Sequence, residues 1–75
     1  DSLMIGSGRE CDLRFEKTDA EPRHARIVRQ NGKIYIEDLG AGNGVAVGGM
    51  LIQERNPLRS GDMVSLGRVS FQVKY

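Results

Sequence analysis

The chain has 75 residues, of which 39% are hydrophobic and 28% charged, a balance typical of one small globular domain covering residues 1–75. The net charge is only +1, and the 11 Lys and Arg are interleaved with 10 Asp and Glu, so the clustered basic face of a nucleic-acid-binding protein is not expected. No apolar run approaches the roughly 18 residues of a membrane-spanning helix, so no direct membrane contact is expected.

The first half of the chain contains four short segments with strand character. The first is an apolar run that ends in Gly6-Ser7-Gly8, and the others alternate apolar and polar side chains. Asn31-Gly32 is a strong turn signal between the last two, which predicts a hairpin. The four predicted strands are residues 2–5, 13–15, 25–29 and 34–38.

The second half repeats this pattern of short strands and turn residues. Residues 57–62 are rich in turn formers and are predicted to be a turn. No window of a dozen residues keeps helical periodicity, so the chain is predicted to be all-β, a sandwich or barrel of short antiparallel strands. The four remaining predicted strands are residues 45–47, 50–52, 63–66 and 69–75.

Catalysis and metal binding have little support in the residue types. The Gly6-x-Gly8 pair lacks the third glycine and the following helix of a nucleotide-binding loop. The only histidine, His24, has no motif that fixes a serine beside it, so we expect no enzyme. One histidine and one cysteine are too few for a usual zinc site, and no metal or cofactor is expected. Cys11 cannot form an internal disulfide, which favours a reducing, cytoplasmic location.

Four ordered motifs resemble the forkhead-associated (FHA) domain over nearly the whole chain. The resemblance implies an eleven-stranded β-sandwich whose loops at one end bind phosphothreonine peptides. Its first strand is expected to lie before Asp1, so that the chain is a domain cut from a longer protein. The motifs are Gly6 with Cys11-Asp12-Leu13, Arg23-His24-Ala25, Asp38-Leu39-Gly40-x-x-Asn43-Gly44 and Leu58-x-x-Gly61-Asp62-x-Val64-x-Leu66-Gly67.

The phosphate ligands implied by the resemblance are replaced in this chain. Ser7 stands at the arginine that would clamp the phosphate, Glu21 stands at a serine, and Ala41-Gly42 replaces Ser-Thr. A phosphothreonine carries about −1.5 to −2 charges and is repelled by Glu21, with Asp19 nearby in sequence. The site is therefore predicted to be degenerate.

The resemblance also implies roles for the residues that are kept. Asn43 would contact the backbone of a bound peptide, and His24 would brace the binding loops. Gly6 would be needed for the backbone conformation and not for contact with a ligand. Arg9 is the candidate to replace the lost arginine, with charge from Arg23. The predicted peptide-binding residues are Ser7, Arg9, Glu21, Arg23, Gly42, Asn43 and Gly44.

The sequence thus predicts a non-catalytic module that binds a protein or peptide partner through its loop end, independently of phosphorylation. Weak phosphothreonine recognition through Arg9, Arg23 and Asn43 is the alternative. A structural packing module, or a small β-barrel of another family, is the alternative from a different class.

Overall fold

Nine short β-strands form the fold in residues 2–15 and 20–75, which are the residues that the computed structural model describes. The predictions for Asp19 and for the rest of residues 16–19 lie outside them. No helix occurs in these two ranges, and so none could cross a membrane. The strands are β1 Ser2–Gly6, β2 Leu13–Arg14, β3 Ala25–Gln30, β4 Lys33–Asp38, β5 Ala46–Val47, β6 Met50–Leu51, β7 Arg55–Leu58, β8 Met63–Leu66 and β9 Val69–Gln72.

Two sheets contain these strands, one in the order β2-β1-β3-β4-β7 and the other in the order β6-β5-β8-β9. The predicted all-β sandwich is confirmed. One pairing differs from the antiparallel expectation, because β2 runs parallel to β1, with Ile5 opposite Leu13. The backbone N–H of Asp12 donates to Met4 (2.9 Å) and that of Phe15 donates to Gly6 (2.9 Å), so residues 12–15 run along the edge of β1 in the same direction as β1.

The hairpin β3–β4 organises the five-stranded sheet. Asn31 and Gly32 have φ of 54° and 78°, and two consecutive positive values match the twist of the flanking strands. The register places Ala25 opposite Asp38 at the other end of the hairpin. The loop that leads into β3 and the loop that leaves β4 therefore lie side by side.

The core lies between the inner faces of the two sheets. Cross-strand pairs put Ile5 beside Ala25 and Ile27 beside Ile36, so period-two alternation aligns apolar side chains on one face. Phe15 and Phe71 stack at its edge with ring centroids 5.7 Å apart. The buried core residues are Ile5, Ala25, Ile36, Val45, Leu58, Val64 and Leu66.

Residues 57–62 are only partly a turn, so the prediction was wrong for the first of them. Arg55–Leu58 forms β7, in which Leu58 is 3% exposed and Pro57 lies opposite Tyr35. Because β7 is an edge strand, it needs donors on one side only and tolerates a proline. The turn follows at residues 59–62, where Asp62 accepts from the backbone N–H of Arg59 (2.9 Å).

Candidate functional site at the loop end

Three loops meet at the end of the five-stranded sheet where β1 and β4 finish and β3 begins. They are residues 7–12 (the first loop), 20–24 (the second loop) and 39–45 (the third loop), and together we call them the loop end. Antiparallel pairing of β1 with β3 and of β3 with β4 forces the three loops to this one end. Loops on a rigid sheet are common binding surfaces.

Glu21 joins all three loops. Its backbone carbonyl accepts from the N–H of Ser7 (2.9 Å), and its backbone N–H donates to His24 Nδ1 (3.1 Å). Its side-chain Oε2 accepts from the backbone N–H of Gly42. Four residues predicted as site or structural residues are thus directly linked, with Glu21 as the common member.

His24 is fully buried and braces the second and third loops. Its Nε2 lies 2.6 Å from the carbonyl oxygen of Gly44. Because Nδ1 accepts from the N–H of Glu21, the ring proton is on Nε2, which donates to Gly44. The backbone N–H of His24 donates to Ile5 (2.9 Å), and its carbonyl accepts from Leu39 (3.2 Å). The ring has no open donor or acceptor for a ligand.

Close backbone approach explains the glycine at position 6. A Cβ on Gly6 would lie 2.5 Å from the carbonyl oxygen of Pro22 and 2.6 Å from that of Glu21. Backbone atoms cannot move away cheaply, so only glycine fits between the first and second loops. The thiol of Cys11 adds to the same junction, since its Sγ lies 2.9 Å from the Pro22 carbonyl oxygen.

The third loop is shaped by its own polar groups. The Asp38 carboxylate accepts from the backbone N–H groups of Gly40 (2.9 Å) and Ala41 (3.2 Å). The N–H of Gly44 donates to Ala41 (3.0 Å), which closes a turn that leaves Asn43 exposed at its tip. Asn43 is therefore placed where it can meet a partner.

The two candidate arginines differ in their surroundings. Arg23 Nε lies 3.4 Å from Glu10 Oε1, and both side chains are largely exposed. A hydrogen bond from its own backbone, and then the Arg23 guanidinium, lower the pKa of the Glu10 carboxyl. The exposed Arg9 side chain makes no hydrogen bond or ion pair within residues 2–15 and 20–75. Arg9 is thus the more available cation.

Sequence reasoning assigned no role to three residues of the loop end. Glu10 pairs with Arg23, Asp38 shapes the third loop, and Leu51 lies against Gly44, where an added Cβ would be 3.1 Å from its Cδ2. Leu51 and Met50 are 73% and 74% exposed on β6. Asp38 with Gly40 two positions later was a readable turn signal, whereas the contacts of Glu10 and Leu51 depend on tertiary placement.

The loop end combines backbone hydrogen-bonding groups with exposed polar and charged side chains. In the described part of the chain, no group of three or more His, Cys, Asp or Glu side chains could hold a metal ion. The structure brings Ser7, Glu21, Gly42 and Gly44 together with His24, and it places Arg9, Arg23 and Asn43 on the surface. Their predicted roles in peptide binding stay predictions.

Comparisons with known proteins point in one direction. The family model of the FHA domain matches residues 3–67. The FHA domain of the CT664 protein from Chlamydia trachomatis is similar, with a TM-score of 0.92 and 32% identity over 100% of this chain and 77% of that chain. EmbR from Mycobacterium tuberculosis, in complex with a low affinity phosphopeptide, has a TM-score of 0.92 and 26% identity over 97% of this chain and 19% of that chain. The proliferation marker protein Ki-67 of Mus musculus is 27% identical over 73 residues, which are 97% of this chain but only 2% of that protein.

Proposed function

Because the chain belongs to the FHA domain family of protein-interaction modules, we propose that it is a non-catalytic module that binds a partner protein through its loop end without requiring phosphate. The domain spans residues 1–75. The interleaved charges argue against a nucleic-acid partner, and the free thiol of Cys11 supports a cytoplasmic location.

The charge inventory of the loop end carries this proposal. A phosphate needs several cationic or hydroxyl donors that converge on it. Arg14 Nε donates to the Ser7 carbonyl (3.3 Å) and Arg23 faces Glu10, so Arg9 is the guanidinium that is most readily available. Within the three described loops, two guanidiniums stand against three carboxylates, namely Arg9 and Arg23 against Glu10, Asp12 and Glu21.

The exposed residues of the loop end suit an unmodified peptide segment. Asn43 at the tip of the third loop can bond the partner's backbone, and Arg9 can pair with an acidic side chain. Such contacts are worth about 0.5–1.5 kcal/mol for the amide and about 0–1 kcal/mol for an exposed ion pair. Affinity for a single segment is therefore weak, and a multivalent assembly would raise it.

Weak phosphothreonine recognition through Arg9, Arg23 and Asn43 is the second candidate. The similarity to EmbR, whose structure holds a low affinity phosphopeptide, favours it. Arg23 would have to leave Glu10, which is feasible because the pair is long at 3.4 Å and exposed.

A peptide titration separates the two candidates. A phosphothreonine peptide library and its unphosphorylated counterpart are added to the isotope-labelled chain, and backbone amide shifts are followed. We expect no preference for the phosphorylated library. A dissociation constant in the low micromolar range for a phosphothreonine peptide would overturn phosphate-independent binding.

The docking surface has its own test once a binding segment is found. Asn43→Ala should weaken binding, whereas Gln72→Ala on the exposed face of β9 should not. If only Gln72→Ala weakens binding, the partner docks on a sheet face and the loop end is not the site.

A further inference from the structure

We propose that Glu21 is the specificity-determining residue of the loop end, because its carboxylate occupies from within the chain the anion position that a phosphate would otherwise fill. This inference rests on the proposed function and explains why a phosphate is not required. It starts from the bond between Glu21 Oε2 and the backbone N–H of Gly42.

Glu21 and Gly42 form a matched pair. They are two of the positions at which the chain departs from the phosphate-binding pattern of its family, and the structure puts them in contact. A Cβ on Gly42 would lie 3.3 Å from Glu21 Oε2, closer than most real Cβ contacts. Glycine at 42 therefore makes room for the carboxylate, and the carboxylate bonds the amide that the glycine leaves accessible.

The rest of the loop end fits an internal carboxylate. The backbone bonds from Ser7 to the Glu21 carbonyl and from Glu21 to His24 hold the residue on both sides of its Cα. These bonds fix the position from which the half-buried side chain reaches the third loop. The carboxylate is thus placed by buried and backbone partners, unlike the exposed carboxylate of Glu10.

An occupied anion position selects the chemistry of the partner. A second anion cannot share the Gly42 amide and would also meet the charge of Glu21. A segment with a neutral hydrogen-bond donor or a basic side chain is favoured at this point. The partner is therefore expected to present a hydroxyl, amide or lysine-type group to Glu21.

The test compares the carboxylates of Glu21 and Glu10. The chain and the variants Glu21→Ser, Glu21→Gln and Glu10→Gln are titrated with the phosphothreonine peptide library and its unphosphorylated counterpart. The glutamine variants each remove one negative charge, so Glu10→Gln measures the effect of a charge lost elsewhere in the loop end, together with the release of Arg23 from its exposed ion pair. The backbone amide signal of Gly42 is recorded before and during each titration.

We expect Glu21→Ser to move the Gly42 amide signal before any peptide is added, since its acceptor is lost. The preference for phosphorylated over unphosphorylated peptides should rise at least about tenfold over the unaltered chain. Glu21→Gln, which keeps the shape of the side chain, should raise this preference by less than Glu21→Ser does. Glu10→Gln should change it less than about threefold.

Two outcomes would overturn the role of Glu21. One is a Gly42 amide signal that does not move in Glu21→Ser. The other is an equal rise in the preference for phosphorylated peptides in Glu21→Gln and Glu10→Gln. A different result would overturn the proposed function, namely a strong preference of the unaltered chain for phosphorylated peptides. If that chain prefers phosphate and Glu21→Ser prefers it tenfold more, the proposed function fails and the role of Glu21 stands.

Discussion

The two Asn-Gly pairs of the chain lie at opposite ends of the β3–β4 hairpin and differ in what holds them. At the far end, Asn31 and Gly32 both have positive φ, and a Cβ on Gly32 would meet no atom within 4 Å. In the pair at the loop end, Gly44 has positive φ, at 71°, and Asn43 does not. The buried ring of His24 donates to the Gly44 carbonyl, and a Cβ on Gly44 would lie 3.1 Å from Leu51 Cδ2.

The same dipeptide thus forms one turn through its own backbone preferences and another through tertiary contacts. The first turn needs only the twist of the two strands that it joins. The second depends on a residue 20 positions away along the chain, and it carries the exposed Asn43. A turn signal in the sequence therefore predicts where the chain reverses, but the surrounding contacts decide whether the turn can serve recognition.

Replacing His24 should give the largest effect on this contrast. His24→Ala leaves the Gly44 carbonyl and the Glu21 N–H without their partner and opens a cavity in a fully buried position. We expect a loss of about 2–4 kcal/mol in the free energy of unfolding, measured by urea denaturation. Lys33→Ala, on the exposed residue after the Asn31-Gly32 turn, serves as the control and should change it by less than about 0.5 kcal/mol. An unchanged denaturation midpoint for His24→Ala would mean that the ring does not brace the loops.

A pair of glycine substitutions tests the contrast directly. Gly32→Ala and Gly44→Ala both place a side chain at positive φ, which costs about 1 kcal/mol. Gly44→Ala adds a contact 3.1 Å from Leu51 Cδ2, so we expect a total loss of about 1.5–2.5 kcal/mol. Thermal denaturation of the two variants measures the difference between their losses of stability.

Equal losses for the two glycine variants would show that Leu51 moves aside freely. Partner binding gives a second test, because Gly44→Ala should also weaken the binding of the partner, whereas Gly32→Ala should not. If only Gly32→Ala weakens partner binding, the docking surface lies at the far end of the hairpin.

The fold could be predicted from the sequence because its signals are local. Alternation in Ala25–Gln30 and Val69–Gln72, with Asn31-Gly32 between neighbouring strands, indicates short strands and a hairpin whatever the tertiary context. The strand Arg55–Leu58 was missed because Pro57 is a turn former in isolation. Only its place at the sheet edge, unknown from sequence, makes it acceptable there.

The site could be predicted only as a set of positions. The resemblance to the FHA pattern singled out Glu21 and Gly42 separately as lost donors, and their contact across 21 positions needs the register of β3 and β4. The pairing of Glu10 with Arg23 likewise depends on how two loops fold against each other. Propensity and spacing contain no information on such contacts.

The smallest expected effect concerns the strands that join the two Asn-Gly turns. Arg26, Glu37 and Arg55 lie side by side on three adjacent strands. Glu37 Oε1 lies 2.6 Å from Arg26 Nη2, and Oε2 lies 3.0 Å from Arg55 Nη2. The Glu37 side chain is only 18% exposed, so the pairs are partly shielded from water. Arg55 also lies over the Tyr35 ring, 4.6 Å from its centroid.

These contacts make the stability of the hairpin depend on pH. The hydrogen bond from Arg26, with help from Arg55 and against partial burial, holds the pKa of Glu37 below its ordinary value of 4.5. The unfolded chain therefore takes up this proton at a higher pH than the folded chain, and the stabilisation is present above about pH 4.5 and lost as the pH falls further. Glu37→Gln should lower the free energy of unfolding by about 0.5–1 kcal/mol at pH 7, and the difference from the unaltered chain should shrink below pH 4.5. Urea denaturation across pH 3 to 7 measures it, with Glu54→Gln, an exposed carboxylate outside this cluster, as the control. A difference that stays constant as the pH falls would show that the ionised Glu37 does not support the hairpin, and that the two turns are joined by backbone pairing and apolar packing alone.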